Sequence, residues 1–468
     1  MKLLFVWVIV LSILYSTLGI VRHNHFQSGA YDLGLFDQAV WQYSHLITPF
    51  NTIKDRLILG DHLTLTLPLI SPLFYIWDDV RMLIIFQAFW ISFSTIAVYK
   101  IAKNRKFSKK ISLIFAVIYS LFYGIQYITY FDFHPVAIGV GILPWLVYFF
   151  EKGMKKMFIV SLILLLLTQE NMGLALSSLG FVYLFEKTKR KTAVFFLLGG
   201  IISTLILIKA TSLFYSGNYE YNPTDFSLNP VLIVQRFFDS EEKRLVWLYS
   251  ISSYSFLPLL SPGAILASAF DLIQYFHTGI SKARMWSPFL HHRAILDIFL
   301  FLGTMNVLTF LKSKKISIEK VSVAALVIVL AMHYLLHLPL NKLSKPEFWK
   351  SEEWMVNNEK LIKSIPQSYS LAAQDNLVPH FSHRREIRLI YPRMHDFDNK
   401  ICGQKSCWWF DFAGKPNYMV LDRRPNQWLT QILETNEHFE DAINNMEKVG
   451  KIKHVKNIGD AYLYKILY

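Results

Sequence analysis

The chain reads as a polytopic α-helical membrane protein of about eleven crossings, followed by a small soluble α/β domain. Three observations predict this. The 468 residues are 53% hydrophobic and 16% aromatic, with 18% charged, a balance that water-soluble domains rarely carry. The apolar residues gather into runs suited to a bilayer core, which takes roughly 20 helical residues. The charge, finally, is unevenly placed. Of 48 Lys and Arg and 34 Asp and Glu, 19 and 16 lie after residue 340, which leaves 29 and 18 on the apolar part. Basic clusters between apolar runs mark cytoplasmic loops; a nucleic-acid surface would interleave them with soluble residues. The net charge of +14 is therefore assigned to membrane topology, with the lipid bilayer as partner and no nucleic acid. Two cysteines exclude a multi-cysteine metal or iron–sulfur site.

The first run, residues 3–20, has one flanking Lys2 and no small-residue cleavage site, so it reads as a retained signal-anchor. Further runs cover 82–101, 111–130, 135–150, 157–168, 172–185, 193–214, 245–260, 262–276, 294–311 and 321–340. Four connections are basic: Lys103 to Lys110, Lys152 to Lys156, Lys187 to Lys191 and Lys312 to Lys320. The positive-inside rule puts all four, and the N-terminus, in the cytoplasm, with the C-terminus outside the plasma membrane. Residues 157–185 read as a hairpin, because one long helix would separate two basic loops. Its arms are short, about 18–21 Å at 1.5 Å per residue. The tip Gln169-Glu170-Asn171 then sits below the outer surface, where polar groups line a water-filled cavity.

The outer connections carry a different chemistry. A loop over residues 21–81 contains Tyr31-Asp32-Leu33-Gly34-Leu35-Phe36-Asp37-Gln38-Ala39-Val40-Trp41 and then Gly60-Asp61-His62-Leu63. The next is the short turn Phe131-Asp132-Phe133-His134-Pro135, and later come Glu170 with Asn171, and His291-His292-Arg293. Helical spacing puts Leu33, Phe36, Asp37 and Val40 on one face, which leaves Asp37 as a carboxylate on an apolar stripe. Asp32 stands at a plausible N-cap position. Asp132 and His134 read equally as good turn chemistry, and His291 to Arg293 as a headgroup anchor. Glu170 between two apolar arms is harder to explain blandly, since uncompensated burial costs several kcal/mol. No fixed zinc-binding spacing is present. A hard divalent ion held by carboxylates such as Asp37, Asp132 and Glu170, with phosphate as co-ligand, suits the acidic residues better.

These segments, together with the Thr168-Gln169-Glu170-Asn171 tip and Pro379-His380-Phe381-Ser382-His383-Arg384, resemble the DUF2079 family of uncharacterised membrane proteins over nearly the whole chain. Members usually carry an acid where Glu170 stands; many carry a His-Tyr pair where this chain has His291-His292-Arg293. The family in turn resembles the GT-C class of integral-membrane glycosyltransferases, which use polyprenyl-phosphate-linked sugars. The resemblance implies a GT-C-like domain over 1–340, with interfacial helices in the 21–81 loop, and an extracytoplasmic domain over 341–468 that aids acceptor recognition. It implies an outer-loop carboxylate as the base that deprotonates the acceptor, Asp37 first and Asp32 second. Arg293, His291 and His292 would meet the departing lipid phosphate, with His62 and His134 behind them. Asp61, Asp132, Glu170 and Asn171 would bind substrate or a cation. Two other readings stay open: a non-catalytic transporter or flippase for a lipid-linked saccharide, and a membrane scaffold.

After residue 340 the composition turns soluble. Helices are expected at 350–365 and 434–448, short strands at 370–373 and 419–422, and a terminal hairpin around 457–460. Cys402 and Cys407 read either as a local disulfide or as two free thiols. The run from His380 to Arg385 is expected to be a solvated loop, with a phosphate-facing role as the alternative.

Overall fold

A computed structural model describes residues 1–221, 227–397, 401–425, 427 and 434–468. It opens with α1 (Lys2–Asn24), the loop helix α2 (Leu35–Ser44), a small ladder of β1 (Phe50–Asn51) with β2 (Arg56–Leu57), and the one-turn α3 (Leu67–Ile70). There follow α4 (Arg81–Asn104), α5 (Lys109–Ser120), α6 (Tyr123–Tyr130), α7 (Val136–Lys152), α8 (Lys155–Leu166), α9 (Met172–Leu184) and α10 (Arg190–Leu213). Then come α11 (Pro230–Gln235), α12 (Glu241–Ser252), α13 (Pro262–Phe276), α14 (Leu296–Ser313) and α15 (Ile318–Leu335).

Among the described residues, five helical stretches are long and apolar enough to cross a membrane: Lys2–Asn24, Arg81–Asn104, Lys187–Leu213, His291–Ser313 and Ile318–Leu335. The pair α5 and α6, bent by 46°, makes a sixth if it is one span. The other five expected runs contain helices of 12 to 17 residues, too short to qualify by length alone. The run expected at 245–260 is not one helix. It ends at Ser252, because Ser255 and Phe256 take φ values of 54° and 62°, a conformation that stops a right-handed helix. Between α8 and α9 the chain breaks around Glu170, in place of one continuous helix.

Several helices expose their apolar side chains: Leu3, Val6 and Ile9 on α1, Leu198, Ile202 and Leu205 on α10, Val327 and Leu330 on α15. Water-soluble folds rarely leave such patches bare; acyl chains cover them. α4 and α14 run through the centre and are mostly buried. α9 and α10 meet at Gly173 and Gly200, where a Cβ on Gly173 would come within 2.3 Å of the Gly200 carbonyl oxygen. Small residues thus set the helix spacing, as they do inside bilayers.

The four basic connections gather at one end of the bundle. Arg105 is ion-paired to Glu151 and donates to Asn306 Oδ1 at 2.7 Å. Lys189 Nζ lies 3.1 Å from Glu151 and 2.8 Å from Glu186, Tyr183 donates to Glu151 at 3.0 Å, and Lys110 pairs with Glu319.

Beyond residue 340 come α16 (Glu353–Lys363), β3 (Leu371–Ala373), β4 (Ile387–Leu389), β5 (Pro392–Asp396), β6 (Ser406–Phe410), β7 (Tyr418–Asp422), α17 (Asn436–Lys448), β8 (Ile452–Ile458) and β9 (Ala461–Ile466). Five strands form one sheet in the order β4-β3-β7-β9-β8, parallel at β4-β3-β7 and antiparallel at β7-β9-β8. β5 and β6 form a separate antiparallel pair, and Cys402 and Cys407 are joined in a disulfide. α17 covers one face of the sheet with Phe439, Ile443 and Met446. The other face packs α16 together with Phe26 and Ala30. The 21–81 loop is therefore held between the helices and the sheet, which is what positions the residues below.

Candidate functional site

Two successive backbone amides begin the site. Gly29 N–H donates to Asp132 Oδ2 and Ala30 N–H to Asp375 Oδ1, both at 2.8 Å. The other oxygen of Asp132 is ion-paired with Arg22, at the end of α1. This buried pair fixes where the loop starts and leaves Asp132 committed to it. The next turn, Ala30–Gly34, carries Asp32. It does not cap α2: the cap position is Gly34 and no side-chain cap bond forms. Asp32 is half-buried instead. Burial, and then the neighbouring Asp132 and Asp375 carboxylates, push its pKa up to about 7. Asp375, also raised mainly by burial, sits at about 6.

Asp37 does lie on the apolar stripe, with Leu33, Phe36 and Val40 all buried. Its carboxylate is engaged from the C-terminal segment. Ser382 Oγ donates to Asp37 Oδ2 at 2.5 Å, and His383 Nε2 lies 2.9 Å from the same oxygen. His383 Nδ1 is 2.7 Å from Asp78. Burial alone would lower the His383 pKa, but Asp37 and Asp78 outweigh it and raise it to about 10. Asp37 thus joins the C-terminal segment to the loop. The run from His380 to Arg385 is correspondingly not a solvated loop: Ser382 and Arg384 are buried against α2 and β4.

On the neighbouring face of α2, Phe36 packs against the rings of His62 and His134, with centroids 6.4 and 4.9 Å away. His62 Nδ1 is 2.7 Å from Glu170 Oε1. Glu170 also accepts from the Leu63 amide at 3.0 Å and from Tyr219 at 2.8 Å. This answers the cost of placing Glu170 between apolar arms: three donors compensate its charge. Burial opposes the His62 imidazolium, yet Glu170 and Asp61 prevail and hold its pKa above the usual value. Asp61 accepts from Lys54 at 2.6 Å and from Tyr221 at 2.9 Å. Gly60 is required for the loop to reach this position, since a Cβ there would lie 2.6 Å from the Phe214 carbonyl oxygen. Asn171 turns aside to Gln274, donating at 3.1 Å.

His134 stacks on His291, with centroids 4.2 Å apart, and His291 on His292 at 4.0 Å. Arg293 is fully buried. Its guanidinium donates to the carbonyls of Met285 and Ser287 and lies over the Tyr275 ring.

The expected carboxylate trio for a hard cation does not assemble. Asp37 is taken by His383, Asp132 by Arg22 and Glu170 by His62. Among the described residues, the group whose potential ligand atoms converge is His134, His291 and His292. Arg22, Lys54, Asp375 and Tyr219 escaped the sequence reading. A cation closing the first apolar run was the available signal for Arg22; Asp375 had none.

Beside the site runs an apolar cavity of about 450 Å³, lined by Ile70, Trp90, Ile142, Trp145 and Leu164 among others. Thr66, Ile138 and Leu164 at its walls lie on the same segments that carry His62, His134 and Glu170. From Ile138 to Phe149 the wall rises about 17 Å along α7. The apolar stretch over residues 63–77 contains α3 and a 3-10 turn, with Leu69, Tyr75 and Ile76 exposed.

No curated protein matches the sequence. Residues 22–445 match the family described as predicted membrane protein (DUF2079), a span that takes in every site residue named above, and the chain is a member of that family.

Proposed function

We propose that the protein is a membrane glycosyltransferase that moves a sugar from a polyprenyl-phosphate-linked donor to an acceptor on the extracytoplasmic face. The observation that carries this reading is the gathering of outer-loop carboxylates and imidazoles from distant segments into one buried cluster, with an apolar cavity on adjoining segments. Asp32 has the proton affinity a general base needs at physiological pH. The apolar cavity lies along α7 and α8, on the segments that follow His134 and precede Glu170, a polarity that suits a polyprenyl tail whose phosphate would stay among His291, His292 and Arg293. Of the two carboxylates implied by the resemblance, Asp32 takes the role of base and Asp37 that of a clamp. Glu170, His62, Asp61 and Asn171 form the rim that meets the sugar.

In this reading the four basic connections face the cytoplasm, the short helices complete eleven crossings with the protein surrounding them, and residues 341–468 lie outside the plasma membrane as an acceptor-binding domain. The gathering of the basic connections at one end supports that orientation. The test is a comparison of lipid extracts and surface glycans from a deletion strain and its parent. The expected result is an accumulated polyprenyl-linked sugar together with a missing envelope sugar. Unchanged lipids and glycans would refute the enzyme. Loss of the glycan, with the donor lipid confined to the inner leaflet, would instead favour a flippase.

A further inference from the structure

We infer that His134, His291 and His292 form a binding site for one borderline transition-metal ion, of the zinc class. Each of the three offers one ring nitrogen, and these atoms all lie within 4.8 Å of one another. They come from two separate segments: the turn before α7 and the 3-10 helix His291–Ile295 that leads into α14.

A second observation points to a ligand. Both ring nitrogens of His291 and Nδ1 of His292 are buried and lack a protein hydrogen-bond partner. Phe36 on His134 and Phe131 on His291 have no hydrogen-bonding group to offer, and the Tyr275 hydroxyl, on the ring packed against His292, makes no hydrogen bond to it. Imidazole nitrogens facing one another in an aromatic pocket are a poor hydrogen-bonding set but a good metal-ligand set. The Val136 amide stands 3.3 Å from His134 Nδ1, which leaves Nε2 as that ring's other candidate ligand atom. Arg293, next in the chain, does not occupy the pocket, because its guanidinium is turned onto the carbonyls of Met285 and Ser287.

The donor set decides the ion. Three neutral nitrogens and no carboxylate disfavour magnesium and calcium, which take oxygen ligands. They suit Zn²⁺, which binds imidazole at about 2.0–2.1 Å and keeps a fourth position when only three protein ligands are present. Tetrahedral geometry at that bond length puts the nitrogens about 3.3 Å apart, so binding draws the three nitrogens together and turns the rings out of their present stacking. Next to it, His62 lies with its ring 5.8 Å from His134 and its Nδ1 held by Glu170, the carboxylate–imidazole pairing that commonly surrounds metal sites. The fourth position is open to water or to a phosphate oxygen. The metal site does not depend on the glycosyltransferase reading, since its ligands are identified by geometry alone.

The experiment measures metal in the full chain, purified in detergent through a histidine-free tag and without chelator. Elemental analysis is expected to find about one zinc per chain, retained on dialysis against metal-free buffer. His291→Gln and His134→Gln are expected to lose it, and His454→Gln, exposed on β8, to keep it. Cobalt substitution gives an independent readout: visible d–d bands typical of nitrogen-ligated, four-coordinate Co²⁺, absent from the double variant His291→Gln/His292→Gln. The circular dichroism spectrum of each variant shows whether its helices are intact. Zinc-free protein that also fails to take up added Zn²⁺ or Co²⁺ would overturn the inference. So would full metal retention in the double variant.

Discussion

The two ends of the helix bundle bury charge in opposite ways. At the basic end, Arg105, Glu151, Lys189 and Glu186 form a closed network in which cation meets anion, and Tyr183 and Asn306 complete the hydrogen bonding. At the other end, buried atoms of His291, His292, Asp271, Arg293 and Asp37 find no protein partner, and three carboxylates crowd around Gly29 and Ala30 with one buried cation, Arg22, paired to one of them. The difference separates scaffold from site. A satisfied network contributes position and rigidity. An unsatisfied one is tolerated where a ligand, an ion or a reacting group completes it.

The largest effect expected from breaking this contrast is at Asp32. Asp32→Asn removes the proposed base and should lower sugar transfer by roughly 10²–10⁴-fold, while wild-type activity rises with pH through about 7 as the carboxyl ionises. Stability should move the other way. The folded-state pKa lies above the unfolded value, so the folded state binds the extra proton, and stability falls as pH rises from about 4 to about 7. At pH 8 the asparagine variant, free of that penalty, should melt higher than wild type. A variant that loses activity and also melts lower would return Asp32 to a structural role.

Glu151 is the counter-case. Removing one member of a buried pair strands the other, at a cost of about 3–5 kcal/mol. Glu151→Ala leaves Arg105 and Lys189 to share the single carboxylate of Glu186, so the melting temperature in detergent should drop. Transfer per folded molecule should stay near wild type, because the proposed site lies at the other end. Equal loss of specific activity in both variants would erase the distinction between the two ends.

The legibility of these features in the sequence follows their range. Basic connections and apolar runs are local, and the bilayer imposes a length on them that can be counted. Glu170 and His62 stood out because a charge in an apolar run has to be explained wherever its partner lies. Asp37 stands out for the same reason, but its partner Ser382, 345 residues away, is not legible from spacing. Asp375 was missed because its contact with Ala30 is equally distant and its own neighbourhood reads as an ordinary strand end. The division of the 245–260 run escaped notice because Ser255 and Phe256 are not residues that announce a positive φ. Spacing reveals what a segment can be; what it pairs with across hundreds of residues is decided by packing.

The smallest expected effect sharpens the comparison at the seam between loop and sheet. His383 bridges Asp37 and Asp78, and its pKa of about 10 lies above the ordinary 6.5. A raised folded-state pKa means that the imidazolium's stabilisation is complete below pH 6.5 and is lost as the pH climbs towards 10. Over pH 7 to 9 this amounts to at most about 3 kcal/mol. Wild-type melting temperature should therefore decline across that range, and hydrogen exchange at Ser382 and in β4 should quicken. His383→Gln, which keeps a hydrogen-bonding side chain but carries no charge, should start lower at pH 7 and lose the slope. If the slope survives in that variant, the seam is held by apolar contacts such as Phe26 and Ala30 on the sheet, and Asp37 is freed from its clamp to be reconsidered as a base.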